Sequence, residues 1–202
     1  DPPAGNRQDD VLVGAPLYMA QQPDGQRSEV GRLYLYLGRG HQPLTRPPQT
    51  LTGTHLYGRF AAAIASLGDL DKDGYGGWDT QWVLTSPVSP DVAVGAPFGG
   101  DSGSGQVFIF RGQSEGLMAV PTQRLDSPFS GPAAFGFTLR GATDLDGNGY
   151  PDLLVGAYGA DSVAVYWGQP VVVAQAKLSV PDGLNPEVLE CVLPGSGTHV
   201  SW

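Results

Sequence analysis

A single cysteine, Cys191, stands among 202 residues, so no disulfide can close within the chain and redox compartment is left open. Histidine is scarce too. His41, His55 and His199 are scattered, and none has a neighbour at metal-ligand spacing, which removes the zinc-hydrolase reading. No apolar run approaches the roughly 18 residues of a membrane-spanning helix. Positive charge is in short supply: Lys+Arg 11 against Asp+Glu 20 leaves a net −9, which would repel nucleic acid phosphates. No Asn-x-Ser/Thr triplet occurs, so glycosylation gives no sign of secretion. A nucleophile elbow is absent, and Gly103-Ser104-Gly105 reads as a turn rather than a phosphate cradle. The chain opens Asp1-Pro2-Pro3 without methionine or an apolar leader, as expected of a mature piece or a fragment.

Glycine and proline are abundant. With Gly 30 and Pro 18, nearly a quarter of the chain favours turns over long helices. A hydrophobic content of 41% still suffices for a core, and the length allows one or two domains. These features predict an all-β chain with acidic loops suited to divalent cations.

The strongest motif runs from Asp144 to Asp152. Asp144, Asp146, Asn148 and Asp152 place oxygen side chains in register, and Gly147 and Gly149 permit a sharp turn. A hard cation such as Ca2+ takes 6–8 oxygen ligands. The four side chains supply most of them, with the Tyr150 carbonyl at the seventh position. The apolar run Leu153 to Ala157 then reads as a buried strand, putting the loop at a strand mouth. A second copy begins at Asp69, Asp71 and Asp73, with Tyr75 at the seventh position. An EF-hand would need a glutamate at its twelfth position and flanking helices. Thr80 and Val155 stand there instead, among Gly and β-branched residues, so a Ca2+ loop between strands is expected. A plain acidic turn would explain Asp-Gly and Asn-Gly, but not four oxygens in register.

Repetition organises the rest. Val-Gly-Ala recurs at Val13 to Pro16, Val94 to Pro97 and Val155 to Tyr158. Each copy precedes a turn and an alternating strand, at Gly31 to Leu37, Gly105 to Phe110 and Ser162 to Trp167. Strand-like runs also precede the two loops, at Phe60 to Leu67 and Phe135 to Gly141. Asp69 and Asp144 stand 75 positions apart, and Gly76 to Pro90 replaces what is the single Pro151 in the later loop. Without those 14 additional residues the interval is 61. Short strands repeating at about that period suggest propeller blades. From about Pro170 the character changes, and Val171 to Val180 reads as a strand of a second β domain.

Phe135-Gly136, the Val-Gly-Ala-Pro phrases and the acidic nonapeptide between them together resemble the FG-GAP repeats of integrin alpha subunits. The resemblance covers most of the chain outside residues 1–9 and 76–90. It implies about three blades of a seven-bladed FG-GAP propeller over residues 1–168. The beginning of a thigh-like β-sandwich would follow over 169–202. It implies Ca2+ as cofactor, a β subunit as heterodimer partner, extracellular adhesion ligands and a place on the outer face of the plasma membrane. It implies no catalysis. Alternatives are a soluble FG-GAP scaffold, or the non-catalytic propeller of a phospholipase D-type enzyme.

Departures from the pattern carry expectations of their own. Pro2, Ala4 and Asn6 occupy the first three odd positions of the earliest loop, where only Asn6 and Asp10 keep an oxygen side chain in register. Ala61 replaces the second glycine of the Phe-Gly pairs, a mild change provided its backbone avoids positive φ. In the loop with the 76–90 insertion, Gly77 falls at the ninth position, and either Asp91 or Asp79 could supply the missing carboxylate. By resemblance Cys191 pairs with a cysteine about eleven residues later, where Trp202 stands, leaving a free thiol or an aberrant end.

Overall fold

The computed structural model describes residues 10–38, 46–70, 90–100, 102–113, 115–169, 191–192, 195–196 and 199–200. Asn6, Asp71, Asp73, Tyr75, Asp79, nearly all of the 76–90 insertion and the expected strand at 171–180 lie outside them. The chain divides into two compact units, Asp1–Pro170 and Val171–Trp202.

Among the described residues the first unit holds three larger antiparallel sheets in succession and two separate two-stranded hairpins. The first contains β1 (Val11–Ala15), β4 (Arg32–Tyr36) and β5 (Gln49–Thr52), while β2 (Met19–Gln21) and β3 (Arg27–Glu29), between β1 and β4 in the chain, pair with each other as a separate hairpin. Its order is β1-β4-β5. In the second, β6 (Ala63–Gly68), β7 (Asp91–Ala96) and β8 (Gln106–Phe110) precede a small hairpin of β9 (Gly112–Gln113) and β10 (Gly116–Leu117). β11 (Gln123–Asp126) completes the sheet in the order β6-β7-β8-β11. In the third, β12 (Phe135–Thr143), β13 (Asp152–Ala157) and β14 (Ser162–Tyr166) form the order β12-β13-β14, with a 3-10 turn at Tyr158–Ala160 between the last two. In the second unit β15 (Cys191–Val192) pairs antiparallel with β16 (His199–Val200).

The repeated phrases become repeated strands because their alternation faces a core on both sides of the middle blade. Leu33, Leu35 and Leu51 of the first sheet pack with Val92, Val94, Phe60 and Phe110 of the second. Ala93, Val107 and Ile109 face the other way and pack with Phe135, Leu153, Val155 and Ala157 of the third. β7 is consequently buried along all six residues. Sheets stacked face to face through consecutive inner strands, with β12 beside β6, form a propeller segment.

At each joint the glycine of a Val-Gly-Ala phrase meets the residue after the phenylalanine of the next blade, Ala61 at the first and Gly136 at the second. A β-carbon at Gly14 would lie 2.3 Å from the Ala61 carbonyl oxygen, and one at Gly95 only 2.0 Å from that of Gly136. Gly31 bridges Phe60, and Gly105 bridges Phe135, both in parallel fashion. The Phe-Gly of one blade is thus seated on the Gly-Ala of the blade before it, and only a missing side chain permits that approach. The second inner strand begins at Ala63 rather than Phe60, since its pairing with β7 starts at Ala63–Gly95, whereas Phe135 of β12 pairs with Ala157. Ala61 has φ 68, against φ 86 at Gly136, so it sits in the region its side chain disfavours.

Outer faces show what the joints normally cover. Val163 and Val165 are exposed where their counterparts Val107 and Ile109 are buried, and Val11 and Val13 are exposed where Val92 and Val94 are buried.

Candidate metal centre

Both inner strands reach their loops through a β-bulge. The register of β12 shifts between Arg140 and Thr143, with Ala142 at φ 57, and that of β6 shifts between Ser66 and Gly68, with Gly68 at φ 73. A bulge bends its strand and redirects the chain beyond it, here at the entry to each loop.

In the 144–152 loop, short-range hydrogen bonds then coil the backbone around its carboxylates. Gly147 N–H donates to Asp144 Oδ1 at 2.7 Å and Gly149 N–H to its Oδ2 at 2.8 Å. Asn148 N–H donates to Asp146 Oδ1 at 3.0 Å, and Tyr150 N–H to Asn148 Oδ1 at 2.8 Å. Gly147 and Gly149 have φ 77 and 87, the left-handed turns that allow this coil. The result gathers one oxygen from each of Asp144, Asp146 and Asp152 within 4.8 Å of one another. The hydrogen bond from Gly149 holds the Asp144 carboxyl below its ordinary range, against an opposing push from desolvation and with further help from Gly147.

Asp152 is the exception in environment. Asp144 and Asp146 are exposed, whereas Asp152 is 1% exposed at the start of β13. Leu145 N–H donates to its Oδ2 at 2.7 Å and Gly168 N–H to its Oδ1 at 2.8 Å. It therefore ties the loop to the end of the next strand. Asn148 adds a second tie, because its Nδ2 donates to Asp146 Oδ2 at 3.1 Å and to the Gly168 carbonyl at 2.8 Å.

Asp91 repeats the arrangement in the second blade. It is 4% exposed; Leu70 N–H donates to its Oδ2 at 3.1 Å and Gly112 N–H to its Oδ1 at 2.8 Å. In the first blade Gly38 N–H donates to Asp10 Oδ1 at 2.8 Å. Asp10, Asp91 and Asp152 thus occupy one structural position. Asp69 lies at the other end of its loop from Asp91, beside Leu70.

Sequence reasoning missed the glycines that these aspartates hold. The signal was present: Gly38, Gly112 and Gly168 each succeed the alternating strand at the same offset, after Leu37, Arg111 and Trp167.

The donor set at 144–152 fits a hard divalent cation. It consists of carboxylate and amide oxygens only, without the thiolate or imidazole that softer metals prefer. Its carboxylates already crowd together against their own repulsion.

Comparison with known proteins agrees with the architecture. The FG-GAP repeat model matches residues 135–172. Integrin alpha-IIb of Homo sapiens is 57% identical over 198 residues, covering 98% of this chain and 18% of that protein. Integrin alpha-5 of Xenopus laevis is 47% identical over 197 residues, 96% of this chain and 17% of its own length. Integrin alpha-PS2 of Drosophila melanogaster is 39% identical over 184 residues, 87% and 12% respectively. The chain therefore spans less than a fifth of the length of these relatives. Near-complete alignment with several such subunits, on a sheet succession built around Phe-Gly and Gly-Ala joints, makes this chain part of an integrin alpha subunit carrying FG-GAP repeats.

Proposed function

We propose that this chain serves in the extracellular head of a cell-adhesion receptor, where Ca2+ held in its blade loops has an architectural role and no catalytic one. The observation that carries the reading is the convergence of Asp144, Asp146 and Asp152 oxygens within 4.8 Å. Asp144, Asp146, Asn148 and Asp152 would hold the ion through their side chains, and Tyr150 through its carbonyl. A bound divalent cation supplies positive charge that turns carboxylate repulsion into attraction and links binding to folding.

In the second blade we assign Asp69, Asp71, Asp73, the Tyr75 carbonyl and Asp91. Asp91 is preferred to Asp79 because it makes the same two backbone contacts as Asp152. The intact receptor would pair with a β subunit and meet extracellular adhesion ligands at the cell surface, a reading that rests on the chain's likeness to integrin alpha subunits. Residues 1–168 would be its partial propeller and 169–202 the beginning of a thigh-like sandwich.

Calorimetric Ca2+ titration of the wild type, Asp144→Ala and Asp71→Ala tests the reading. Two saturable sites, each abolished by its own substitution, are expected. Absence of binding heat in the wild type would overturn it.

A further inference from the structure

We propose that Asn148 makes the Asp144–Asp152 loop a cation-dependent grip on the point where the chain leaves the third blade. This deepens the Ca2+ assignment above and rests on it. Gly168 lies two residues beyond the end of β14 and two before Pro170, the last residue of the first unit. Its peptide groups are held on three sides. The N–H is bound by Asp152 Oδ1 at 2.8 Å, and the carbonyl by Asn148 Nδ2 at 2.8 Å. Its Cα is pressed so close to the loop that an added β-carbon would stand 2.4 Å from the Pro151 carbonyl oxygen and 2.9 Å from the Tyr150 Cβ.

Of these holds, the Asn148 bond is the one an ion can switch. Asn148 is exposed, and its Nδ2 is shared between Gly168 O and Asp146 Oδ2. Its Oδ1 accepts from Tyr150 N–H and keeps a second lone pair for a cation. With that oxygen and the Asp146 carboxylate both engaged by an ion, the amide plane is fixed. Nδ2 then has Gly168 O as its remaining partner. The fifth loop position therefore needs an amide here: one atom to ligate, another to donate. Asp73, its counterpart in the other loop, has no N–H to give.

Asn148→Asp separates the two roles, since it keeps an oxygen ligand and removes the donor. Chymotrypsin cleavage after Trp167, which is 53% exposed, reports on the grip, and cleavage after Tyr57, 65% exposed, serves as reference in the same digest. In the wild type, Ca2+ in place of EGTA should slow Trp167 cleavage relative to Tyr57 by roughly fivefold, the factor expected for one net hydrogen bond. Asn148→Asp should still bind Ca2+ by calorimetry, with protection falling below about twofold. Ca2+ binding with equal protection in both proteins overturns the proposal alone. A wild type that binds no Ca2+ overturns the ion assignment and this proposal together.

Discussion

Replacing Asp152 with alanine should separate what this carboxylate does for the fold from what it does for an ion. Asp152 is 1% exposed and accepts from the backbone N–H of Leu145 and of Gly168, at 2.7 and 2.8 Å. Truncation leaves two part-buried donors without their acceptor. An orphaned group costs about 1–3 kcal/mol when buried and less where water reaches it, so a loss of about 2–4 kcal/mol is expected for the two with EGTA present. For a unit of this size that lowers Tm by roughly 5–15 °C. Asp146→Ala is the contrasting variant. Asp146 is exposed and accepts from its near neighbour Asn148, through both the backbone N–H and Nδ2, so in EGTA its loss should stay within about 0.5 kcal/mol. In Ca2+ at one hundred times the dissociation constant, the wild type gains about 2.7 kcal/mol per site through mass action. Both variants should forfeit that gain at this site. Thermal unfolding measured by circular dichroism, in EGTA and in Ca2+, provides all six values. If Asp152→Ala melts within about 2 °C of the wild type in EGTA, the backbone-anchoring argument is wrong.

Two further outcomes are expected from the geometry. Ala61→Gly should change stability by no more than about 1 kcal/mol, because relief of the φ 68 conformation is offset by loss of a methyl buried in the core and by the added freedom of the unfolded glycine; a loss above about 2 kcal/mol would contradict this. Asp144 has its folded pKa lowered, chiefly by Gly149 N–H, so its stabilising contribution is complete above its ordinary value of 3.8 and is lost as pH falls through the folded value. In EGTA the stability gap between wild type and Asp144→Asn should therefore be constant near neutrality and close in acid. A gap that widened on acidification would refute the assignment.

Several elements were legible in the residues because they depend on local periodicity. The alternation of Leu33, Tyr34, Leu35 and Tyr36 is a strand facing a core, and β4 forms there. Oxygens at Asp144, Asp146 and Asn148 can converge only if the intervening chain coils, which Gly147 and Gly149 allow. Other features depend on contacts distant in sequence and left weaker traces. The choice between Asp79 and Asp91 could not be made from loop length, since closure entropy varies slowly with it. Register decides the position of Asp91: it opens a strand buried along its whole length and pairs with Gly68. The turn at Ala61 was equally hidden, because its carbonyl is seated against Gly14 of the neighbouring blade, a contact distant in sequence. The hairpins β2–β3 and β9–β10 carry no alternation long enough to announce them.

The fastening of Gly38 by Asp10 has a consequence for how such loops diverge. Pro2 and Ala4 bring no side-chain oxygen to the earliest loop, yet its closing aspartate still performs the mechanical task seen in the other two blades. Strand fastening by this carboxylate therefore does not depend on the ion capture proposed for the 144–152 loop. A blade can thus lack the oxygens a cation needs and still keep the end of one strand pinned to the start of its neighbour.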